Sequence, residues 1–596
     1  MARGIRRGDR VPNRDLALAL ARPRGVQHMH DEDLEEVAWD ADEVAAPLDL
    51  LLSGSTLGVA RRLLPNASSS RLLINLAKQP RTVTSQTTGL VQELISVVRG
   101  SSEIAPAKGD KRFADAAWRA NPFLKRTMQA YLAADKTVEG LFSAADLEWR
   151  DAERIRFALD FFTEALAPSN NPLLNPLGWK ALIDTGGLSA LRGVRHFLSD
   201  IASSPRVPAM VRQDAFTVGE TVAATAGSVV FRAEEFELIQ YAPRTEKVWS
   251  VPLLIVPPVV NKFYILDISP GRSMIEYLLD QGVQVFTISW RNPTAAQKDW
   301  GLDTFGRAVL NALEAVEKIT ETTRTHLLAA CSGGMLAATS ADHLAATGDL
   351  DRVASLGLMV TVLDQSKAGF MAAAVDEEVA KIATALSARK GYLDGRSLAE
   401  VFAWLRPADL VWRYWVNNYI EGKSPPPFDV LFWNADTTRM PAALHRDMVK
   451  MAIHNVLARP GAVSMLGTPV DLTRLTLDSY VVAGIDDHIS PWQACYRSAQ
   501  LLGSEHLRFV LSTSGHIASI INPPGNTKST YRVGDSCETD PAQWVQSAEK
   551  HSGSWWPDYV AWLNERSGEQ KTAPQSLGGA GMAPLAPAPG RYVLDR

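Results

Sequence analysis

The pattern of apolar positions divides the chain into two parts with different periodicities. From about residue 114 to residue 206, apolar side chains recur at the spacing of an amphipathic helix. Four residues show this spacing at positions i, i+4, i+7 and i+11: Ile155, Leu159, Phe162 and Leu166. We therefore expect a mostly helical N-terminal domain over residues 111–230. The residues before it, 1–110, are expected to form a poorly ordered or helical extension.

The hydrophobic pattern changes near residue 246, where short apolar runs of strand length begin. Six runs share this character, at residues 251–256, 283–289, 326–330, 357–362, 479–483 and 507–511. Continuous apolar runs are typical of strands that are buried on both faces. Because helix-like segments lie between most of them, the pattern predicts an α/β domain with a parallel sheet over residues 231–567.

Two segments depart from this alternation of strands and helices. The stretch between the fourth and fifth runs is too long for one crossover, so we expect a cap subdomain inserted at about residues 365–445. It contains Pro425-Pro426-Pro427 and a group of aromatic residues: Trp404, Trp412, Tyr414, Trp415 and Tyr419. Residues 568–596 are rich in Gly, Ala and Pro and are expected to form a flexible tail.

Composition and charge narrow the range of functions. The 596 residues carry a formal net charge of −5, which argues against a nucleic-acid partner because such proteins usually have a basic surface. Three cysteines in so long a chain are typical of a reducing cytoplasm and not of a disulfide framework. No stretch approaches the roughly 20 apolar residues that span a bilayer, so no integral membrane segment is expected.

Candidate chemistry lies directly after the run at 326–330. That run leads into Cys331, which is followed by Ser332-Gly333-Gly334 and a helix-forming segment. This is the pattern of a nucleophile elbow, a sharp strand-to-helix turn of the α/β-hydrolase fold. An isolated cysteine after an apolar run is usually a small buried hydrophobe, but the elbow favours Cys331 as a nucleophile for acyl transfer. Cys495 and Cys537 lack such a context and are interpreted as packing residues.

The expected acid and base follow the nucleophile in the chain order of this fold. Asp487 and His516 each come directly after one of the apolar runs, so both would lie at the edge of the sheet where α/β folds bind ligands. Asp487 would orient the imidazole of His516, which would take the proton of the thiol. Asp486 remains an alternative for the acid, and His488 is interpreted as a structural or supporting residue.

Two backbone N–H groups are expected to stabilise the oxyanion of acyl transfer. One is the N–H of Ser332, directly after the nucleophile. The other should come from the loop after the run at 251–256, near Val259 or Val260, and we assign it to Val259.

Several longer motifs show a resemblance to a known family. They include Pro257-Pro258-Val259-Val260-Asn261-Lys262-Phe263-Tyr264, Ser289-Trp290-Arg291-Asn292-Pro293-Thr294, Ala330-Cys331-Ser332-Gly333-Gly334 and Asp487-His488-Ile489-Ser490-Pro491-Trp492. Over about residues 121–567 the chain resembles the polyhydroxyalkanoate synthases, which build bacterial storage polyesters. Motifs at residues 417–419, 433–439 and 492–498 are similar to class II enzymes, which are associated with medium-chain monomers.

The resemblance implies a reaction and its residues. An acyl group would pass from (R)-3-hydroxyacyl-CoA to Cys331 with release of CoA, and the 3-hydroxyl of a monomer or chain end would then attack an acyl thioester. His516 would be the general base and Asp487 would orient it, with direct activation of the hydroxyl by Asp487 as an alternative. Ala329 departs from the pattern, because the elbow often has Gly there, and the N-terminal extension is not covered.

The resemblance also implies cofactors and partners. No cofactor is expected, because the CoA thioester is itself the substrate. The expected partners are the growing polyester chain, the granule surface, a second copy of the chain in a homodimer and granule-associated proteins. The enzyme would lie in the cytoplasm, on polyester granules.

Two other functions compete with polyester synthesis. A triad with a cysteine nucleophile also suits a Cys-dependent α/β-hydrolase, such as a thioesterase or polyester depolymerase, in which water is the acyl acceptor. A granule-surface structural protein that binds through apolar and Trp-rich segments is a non-enzymatic alternative. An ordered nucleophile, acid and base favour the enzymes, since binding alone requires no triad.

Overall fold

The computed structural model describes residues 67–202, 205–374, 377–535 and 538–596. Residues 1–66, and with them most of the extension predicted over 1–110, lie outside the described residues. In the described part, the helices that precede the first strand are α1 (Ala67–Ala77), α2 (Pro80–Arg99), α3 (Ala117–Ala120), α4 (Pro122–Ala144), α5 (Trp149–Ala165), α6 (Pro176–Asp184) and α7 (Leu188–Ile201).

Local sequence explains where two of these helices begin. The side chain of Asn121 accepts hydrogen bonds from the first free N–H groups of α4, and Pro122 occupies the first helical position. Asn175 and Pro176 have the same roles in α6. An Asn cap satisfies N–H groups that have no partner within the helix, and Pro at this position loses no hydrogen bond.

The amphipathic face predicted in α5 is only partly buried. Ile155 is buried and Leu159 packs beside it, whereas Phe162 is 38% exposed and Leu166, the residue after the helix, is 74% exposed. The spacing identifies one face of the helix correctly, but it does not show how far along that face the neighbouring helices extend.

The strands are short and follow the N-terminal helices. They are β1 (Gly227–Arg232), β2 (Phe236–Tyr241), β3 (Lys247–Trp249), β4 (Leu253–Val256), β5 (Val285–Trp290), β6 (Thr325–Ala330), β7 (Val353–Met359), β8 (Tyr392–Leu393), β9 (Met440–Pro441), β10 (Ser464–Met465), β11 (Thr468–Pro469), β12 (Ser479–Gly484), β13 (Leu507–Ser512), β14 (Thr530–Asp535), β15 (Glu549–Ser552), β16 (Gln570–Thr572) and β17 (Ala586–Pro587).

Eleven of these strands form one mixed sheet in the described residues. Its order is β15-β14-β13-β12-β7-β6-β4-β5-β2-β1-β17. The six central strands, from β13 to β5, are parallel, and the strands outside them pair antiparallel. This confirms the predicted α/β-hydrolase fold class. The six apolar runs of the sequence are the six parallel strands.

The differences from the predicted strands lie at their ends and at the sheet edges. The run at 357–362 continues past β7, because Val360 has a φ of 44° and turns the chain out of the sheet. The antiparallel strands β1, β2, β14 and β15 were not predicted, and β1 begins inside the region interpreted as the helical N-terminal domain. Strands β1, β14 and β15 are partly exposed and lack the continuous apolar run that identifies a central strand. Strand β2 is buried, but Glu237 and Gln240 interrupt its apolar run.

Helices cover both faces of this sheet, and further helices lie in the segment between β7 and β12. In chain order, the helices after the first strand are α8 (Met274–Asp280), α9 (Leu302–Thr320), α10 (Ser332–Thr347), α11 (Gly369–Ala374), α12 (Glu377–Lys390), α13 (Gly395–Leu405), α14 (Asp429–Ala435), α15 (Ala442–Ile453), α16 (Trp492–Ala499), α17 (His516–Ile520), α18 (Pro541–Ser547) and α19 (Trp556–Asn564). In β4, Leu254 and Val256 enter one hydrophobic core, whereas Leu253 and Ile255 enter the other. Alternating side chains of a buried strand therefore supply two cores.

The N-terminal helices pack on the segment between β7 and β12, where the cap was predicted. Helices α11 to α15 lie in this segment, together with two π-helical turns at Ala408–Trp412 and Trp415–Ile420. The rings of Phe157 in α5 and Phe370 in α11 stack with centroids 4.1 Å apart. Arg154 donates a hydrogen bond of 2.9 Å to the carbonyl of Ala373.

Residues 568–596 differ from the flexible tail that was predicted. Strand β16 pairs with β3 and β17 pairs with β1, and Tyr592 and Val593 are buried. Gly590 has a φ of 78°, and a Cβ there would lie 2.4 Å from a carboxylate oxygen of Glu237. Glycine thus allows the turn that returns the chain to the sheet, so its presence here indicates close packing rather than disorder.

Within the described ranges, no helix is both long enough and apolar enough to cross a bilayer.

Candidate active site

Cys331 lies at the turn between β6 and α10. Its φ of 51° and ψ of −121° are unfavourable for a residue with a side chain. The turn is held by hydrogen bonds of 2.9 Å, from the Cys331 N–H to the carbonyl of Met359 and from the Gly334 N–H to the carbonyl of Cys331. The conformation is that of a nucleophile elbow, which presents the thiol at the edge of the sheet.

The two glycines after Cys331 allow the turn to pack closely. A Cβ on Gly333 would lie 2.4 Å from the carbonyl oxygen of Val256, and one on Gly334 would lie 2.0 Å from the hydroxyl of Thr361. Both distances are far below van der Waals contact, so a side chain at either position would force α10 away from β4 and β7.

Asp487 and His516 meet at the ends of the adjacent parallel strands β12 and β13. The Nδ1 of His516 lies 2.7 Å from Oδ2 of Asp487, and both side chains are buried. The other carboxylate oxygen, Oδ1, accepts the backbone N–H groups of Ile489 at 2.8 Å and Ser490 at 2.9 Å. Because an ionised carboxylate only accepts, Nδ1 carries a proton and Nε2 is left for the hydrogen bond with the Cys331 side chain.

These contacts determine the charge of the imidazole. Burial alone would lower the pKa of His516, but the Asp487 carboxylate and the Cys331 side chain raise that pKa to about 10. The site therefore favours a protonated His516 beside the sulfur at neutral pH. The imidazole is therefore placed to exchange a proton with the Cys331 side chain.

Asp486 and His488, which flank Asp487 in the sequence, do not take part in the hydrogen bond between His516 and Asp487. Asp486 is half-buried, and burial raises its pKa, opposed by the charge of Arg406. His488 lines the cavity described below, and its Nδ1 is buried with no hydrogen-bond partner in the described part of the chain. Burial and the charge of Arg406 lower the pKa of His488 to about 3, so it is neutral and a poor proton acceptor at neutral pH.

The assignment of the second oxyanion donor to Val259 does not fit the geometry. The N–H of Val259 donates a 3.1 Å hydrogen bond to the hydroxyl of Ser332, which occupies it. The next residue, Val260, lines the cavity beside Cys331. The N–H of Ser332 is the first of α10 and therefore has no carbonyl partner within that helix. The Ser332 hydroxyl is a feature that sequence reasoning missed.

A cavity of about 680 Å³ opens over the sulfur and contains both Cys331 and His516 in its wall. Most of its lining is apolar and comes from the cap and from loops of the sheet. The cap contributes Phe402, Leu410, Phe428, Leu431 and Trp433, and the sheet domain contributes Val260, Ile265, Met335, Ile517 and Ile521. The cap residues could not be identified from sequence, since no local pattern shows which side chains face the thiol.

The remaining cysteines and possible metal ligands do not extend the site. Cys495 is fully buried, and Cys537 lies outside the described residues. In the described ranges, no group of three or more His, Cys, Asp or Glu side chains is arranged to hold a metal ion.

Comparisons with known proteins agree with this fold. The model for "Poly-beta-hydroxybutyrate polymerase (PhaC) N-terminus" matches residues 109–278, and the model for the alpha/beta hydrolase fold matches residues 261–523. "Poly(3-hydroxyalkanoate) polymerase 2" of Ectopseudomonas oleovorans is 46% identical over 504 residues, which cover 85% of this chain and 90% of that protein.

Two further relatives bear the same kind of name. "Poly(3-hydroxyalkanoate) polymerase 1" of the same organism is 44% identical over 541 residues, covering 91% of this chain and 96% of that protein. "Poly(3-hydroxyalkanoate) polymerase subunit PhaC" of Cupriavidus necator is 38% identical over 506 residues, covering 84% and 85%. The similarity therefore extends over most of each chain.

The first prediction concerns the proton on His516. Replacing Asp487 by Asn removes the charge that most strongly opposes the effect of burial, so the pKa of His516 should fall from its value of about 10. The titration can be followed by NMR of ¹³C-labelled histidine, with His516→Gln to assign the signal. Asp486→Asn is the matched control and should leave the titration unchanged. A His516 pKa that stays high in Asp487→Asn would contradict the pairing.

Proposed function

The chain belongs to the poly(3-hydroxyalkanoate) polymerase family and is an acyltransferase that makes polyester, and we propose that it does so through a covalent thioester on Cys331. The observation that carries the proposal is the strained elbow, which presents Cys331 to the buried His516–Asp487 pair at an apolar cavity.

The first step loads the enzyme. The thiolate of Cys331 attacks the carbonyl carbon of (R)-3-hydroxyacyl-CoA, and the N–H groups of Ser332 and Val260 stabilise the tetrahedral oxyanion. The intermediate collapses with cleavage of the bond to the CoA sulfur, and the proton held by His516 goes to that sulfur. The products are an acyl thioester on Cys331 and free CoA. One thioester replaces another, so this step is nearly isoenergetic.

The second step forms the ester bond. The 3-hydroxyl of a monomer or chain end attacks an acyl thioester, and His516, now neutral, takes the proton of that hydroxyl. The carbon–sulfur bond breaks, the released sulfur of Cys331 becomes a thiolate again, and the polyester is one unit longer. Asp487 stabilises the imidazolium that forms in this step.

The apolar cavity supports polyester synthesis over hydrolysis. Water competes with the 3-hydroxyl for the same thioester, and its attack would end the chain. The wall also contains Arg272, Arg406, Asp409 and Arg413, but it is formed largely by aliphatic and aromatic side chains, which disfavour water at the sulfur. The Cys-dependent hydrolase is the alternative that the product assay below tests.

Medium-chain 3-hydroxyacyl groups are the proposed monomers. A cavity of about 680 Å³ with a mostly apolar lining suits an alkyl side chain of several carbons, because each buried methylene contributes about 0.8 kcal/mol. The motifs similar to class II enzymes point to the same substrates.

The proposed surroundings of the enzyme follow from the reaction. No cofactor is needed, because the activated bond is supplied by the CoA thioester. We place the enzyme on polyester granules in the cytoplasm, as a homodimer, with the growing chain and granule-associated proteins as partners. Exposed apolar side chains on α6 and α7 would suit contact with such a surface: Ile183, Leu188, Leu191, Val194 and Leu198.

Removing the thiol should abolish the reaction. We expect Cys331→Ala to reduce CoA release from 3-hydroxyacyl-CoA to background while the circular dichroism spectrum is unchanged, because the substitution removes the nucleophile from a half-buried position. Cys495→Ala is the matched control at a buried packing position and should retain CoA release. Normal turnover by Cys331→Ala would refute the role of the thiol.

The product distinguishes the synthase from a hydrolase. Incubation with 3-hydroxyacyl-CoA should give insoluble polyester, with one CoA released for each unit incorporated. This is checked by gas chromatography of the methanolysed precipitate and by thiol titration. CoA release accompanied only by free 3-hydroxy acid would instead identify a thioesterase.

Chain-length preference can be measured by competition. With equal concentrations of 3-hydroxyoctanoyl-CoA and 3-hydroxybutanoyl-CoA, the polymer should contain mostly the eight-carbon unit, since its alkyl group buries more apolar surface in the cavity. Polymer composed mainly of the four-carbon unit would contradict the proposed substrate class.

A further inference from the structure

The loop 257–262 connects β4 to the rest of the sheet domain and carries Val260 at the cavity. Several of its polar backbone groups are held by side chains from elsewhere in the fold. The carbonyl of Pro257 accepts a hydrogen bond of 3.0 Å from the indole of Trp290. At the other end, the carbonyl of Lys262 accepts one of 2.7 Å from the indole of Trp433, a cap residue. With the Val259 N–H bonded to Ser332, the loop is fixed on both sides of Val260.

The side chain of Lys262 adds further attachments to the loop. It is 5% exposed, and its Nζ lies 2.9 Å from a carboxylate oxygen of Asp436. The same ammonium group donates to the backbone carbonyls of Val593 at 2.5 Å and Asp595 at 3.0 Å. Its three N–H donors therefore meet three acceptors, so each donor of the buried ammonium is paired. The other oxygen of Asp436 accepts the hydroxyl of Tyr264 at 2.8 Å.

The segment 592–596 that supplies two of these acceptors is itself fastened to the sheet domain. The backbone N–H of Tyr592 donates 2.9 Å to the carboxylate of Glu237 in β2, which is fully buried. The carbonyl of Asp595, one of the acceptors of Lys262, also accepts a 3.3 Å hydrogen bond from the amide of Asn292. Lys262 thus joins three parts of the molecule: the loop 257–262, the cap and this terminal segment.

We propose that Lys262 is a positioning residue for acyl transfer, which holds the Val260 N–H where the oxyanion forms. This inference rests on the proposed function, because it assumes a tetrahedral intermediate on Cys331. An N–H donor stabilises that intermediate only at hydrogen-bond distance, so a small displacement of the loop weakens catalysis while the thiol and its base are undisturbed. Because Asp436 and Trp433 belong to the cap, the same contacts tie the oxyanion donor to the base of the cap.

The test compares two reactions of the same sulfur. Transfer of an acyl group to Cys331 requires the oxyanion site, whereas alkylation of Cys331 by iodoacetamide requires only the thiolate. In Lys262→Met, we expect single-turnover CoA release to slow by roughly ten- to a hundredfold, with the rate of alkylation unchanged. Lys262→Arg, which keeps a charged donor, should recover part of the rate. Lys318→Met, the same change at an exposed lysine, is the matched control.

A second variant removes the charged acceptor and retains the lysine. Asp436→Asn keeps the size of the side chain but takes away the carboxylate that lies 2.9 Å from Nζ, so the fold should persist. Acyl transfer should slow in the same direction as in Lys262→Met, again without a change in alkylation. If Lys262→Met fails to fold, the rate of acyl transfer in this variant tests whether Lys262 positions the loop.

Three outcomes would overturn the proposal. Wild-type acyl transfer in Lys262→Met, or in Asp436→Asn when Lys262→Met does not fold, would show that the loop does not need this attachment. Equal losses of acyl transfer and alkylation would show a general structural role. A wild-type enzyme that releases CoA without any acyl group on Cys331 would instead refute the proposed function on which the inference rests.

Discussion

The buried hydrogen bond between His516 and Asp487 is the interaction on which the rest of the site depends. A carboxylate and an imidazolium removed from water are costly unless each is paired and its remaining hydrogen-bonding groups are satisfied. The sheet makes this possible, because parallel pairing of β12 with β13 ends with Gly484 opposite Ser512 and brings the two following loops together. The backbone N–H groups of Ile489 and Ser490 then satisfy the second carboxylate oxygen.

The thiol and the cavity extend this arrangement into the proposed site for acyl transfer. A strained turn presents Cys331, and the glycines after it allow α10 to approach β4 and β7. The cap lines the cavity over the sulfur with apolar side chains, and the N-terminal helices support the cap through contacts such as the stacked pair Phe157–Phe370. The helical domain therefore acts on the site indirectly, by holding the cap, and contributes little to the core of the sheet.

Much of the fold and of the proposed triad could be predicted, because short sequence segments identify the central strands and the elbow. Central parallel strands are continuous apolar runs, and an elbow is a strand followed by a nucleophile and small residues. What could not be predicted depends on contacts distant in the chain. The Ser332 hydroxyl occupies the Val259 N–H, and Lys262 binds carbonyls more than 300 residues away. Residues 568–596 have the composition of a linker but pack through backbone hydrogen bonds, which composition does not reveal.

The central claim is that the polyester grows from Cys331, and trapping the acyl-enzyme tests it most directly. The enzyme is mixed with 3-hydroxyacyl-CoA, quenched in acid within milliseconds to seconds, digested and analysed by mass spectrometry. The account predicts a thioester adduct on the peptide that contains Cys331, whose mass corresponds to one or more 3-hydroxyacyl units and which hydroxylamine removes. Polyester formation with the Cys331 peptide unmodified at every time, or with the adduct on another residue, would contradict it.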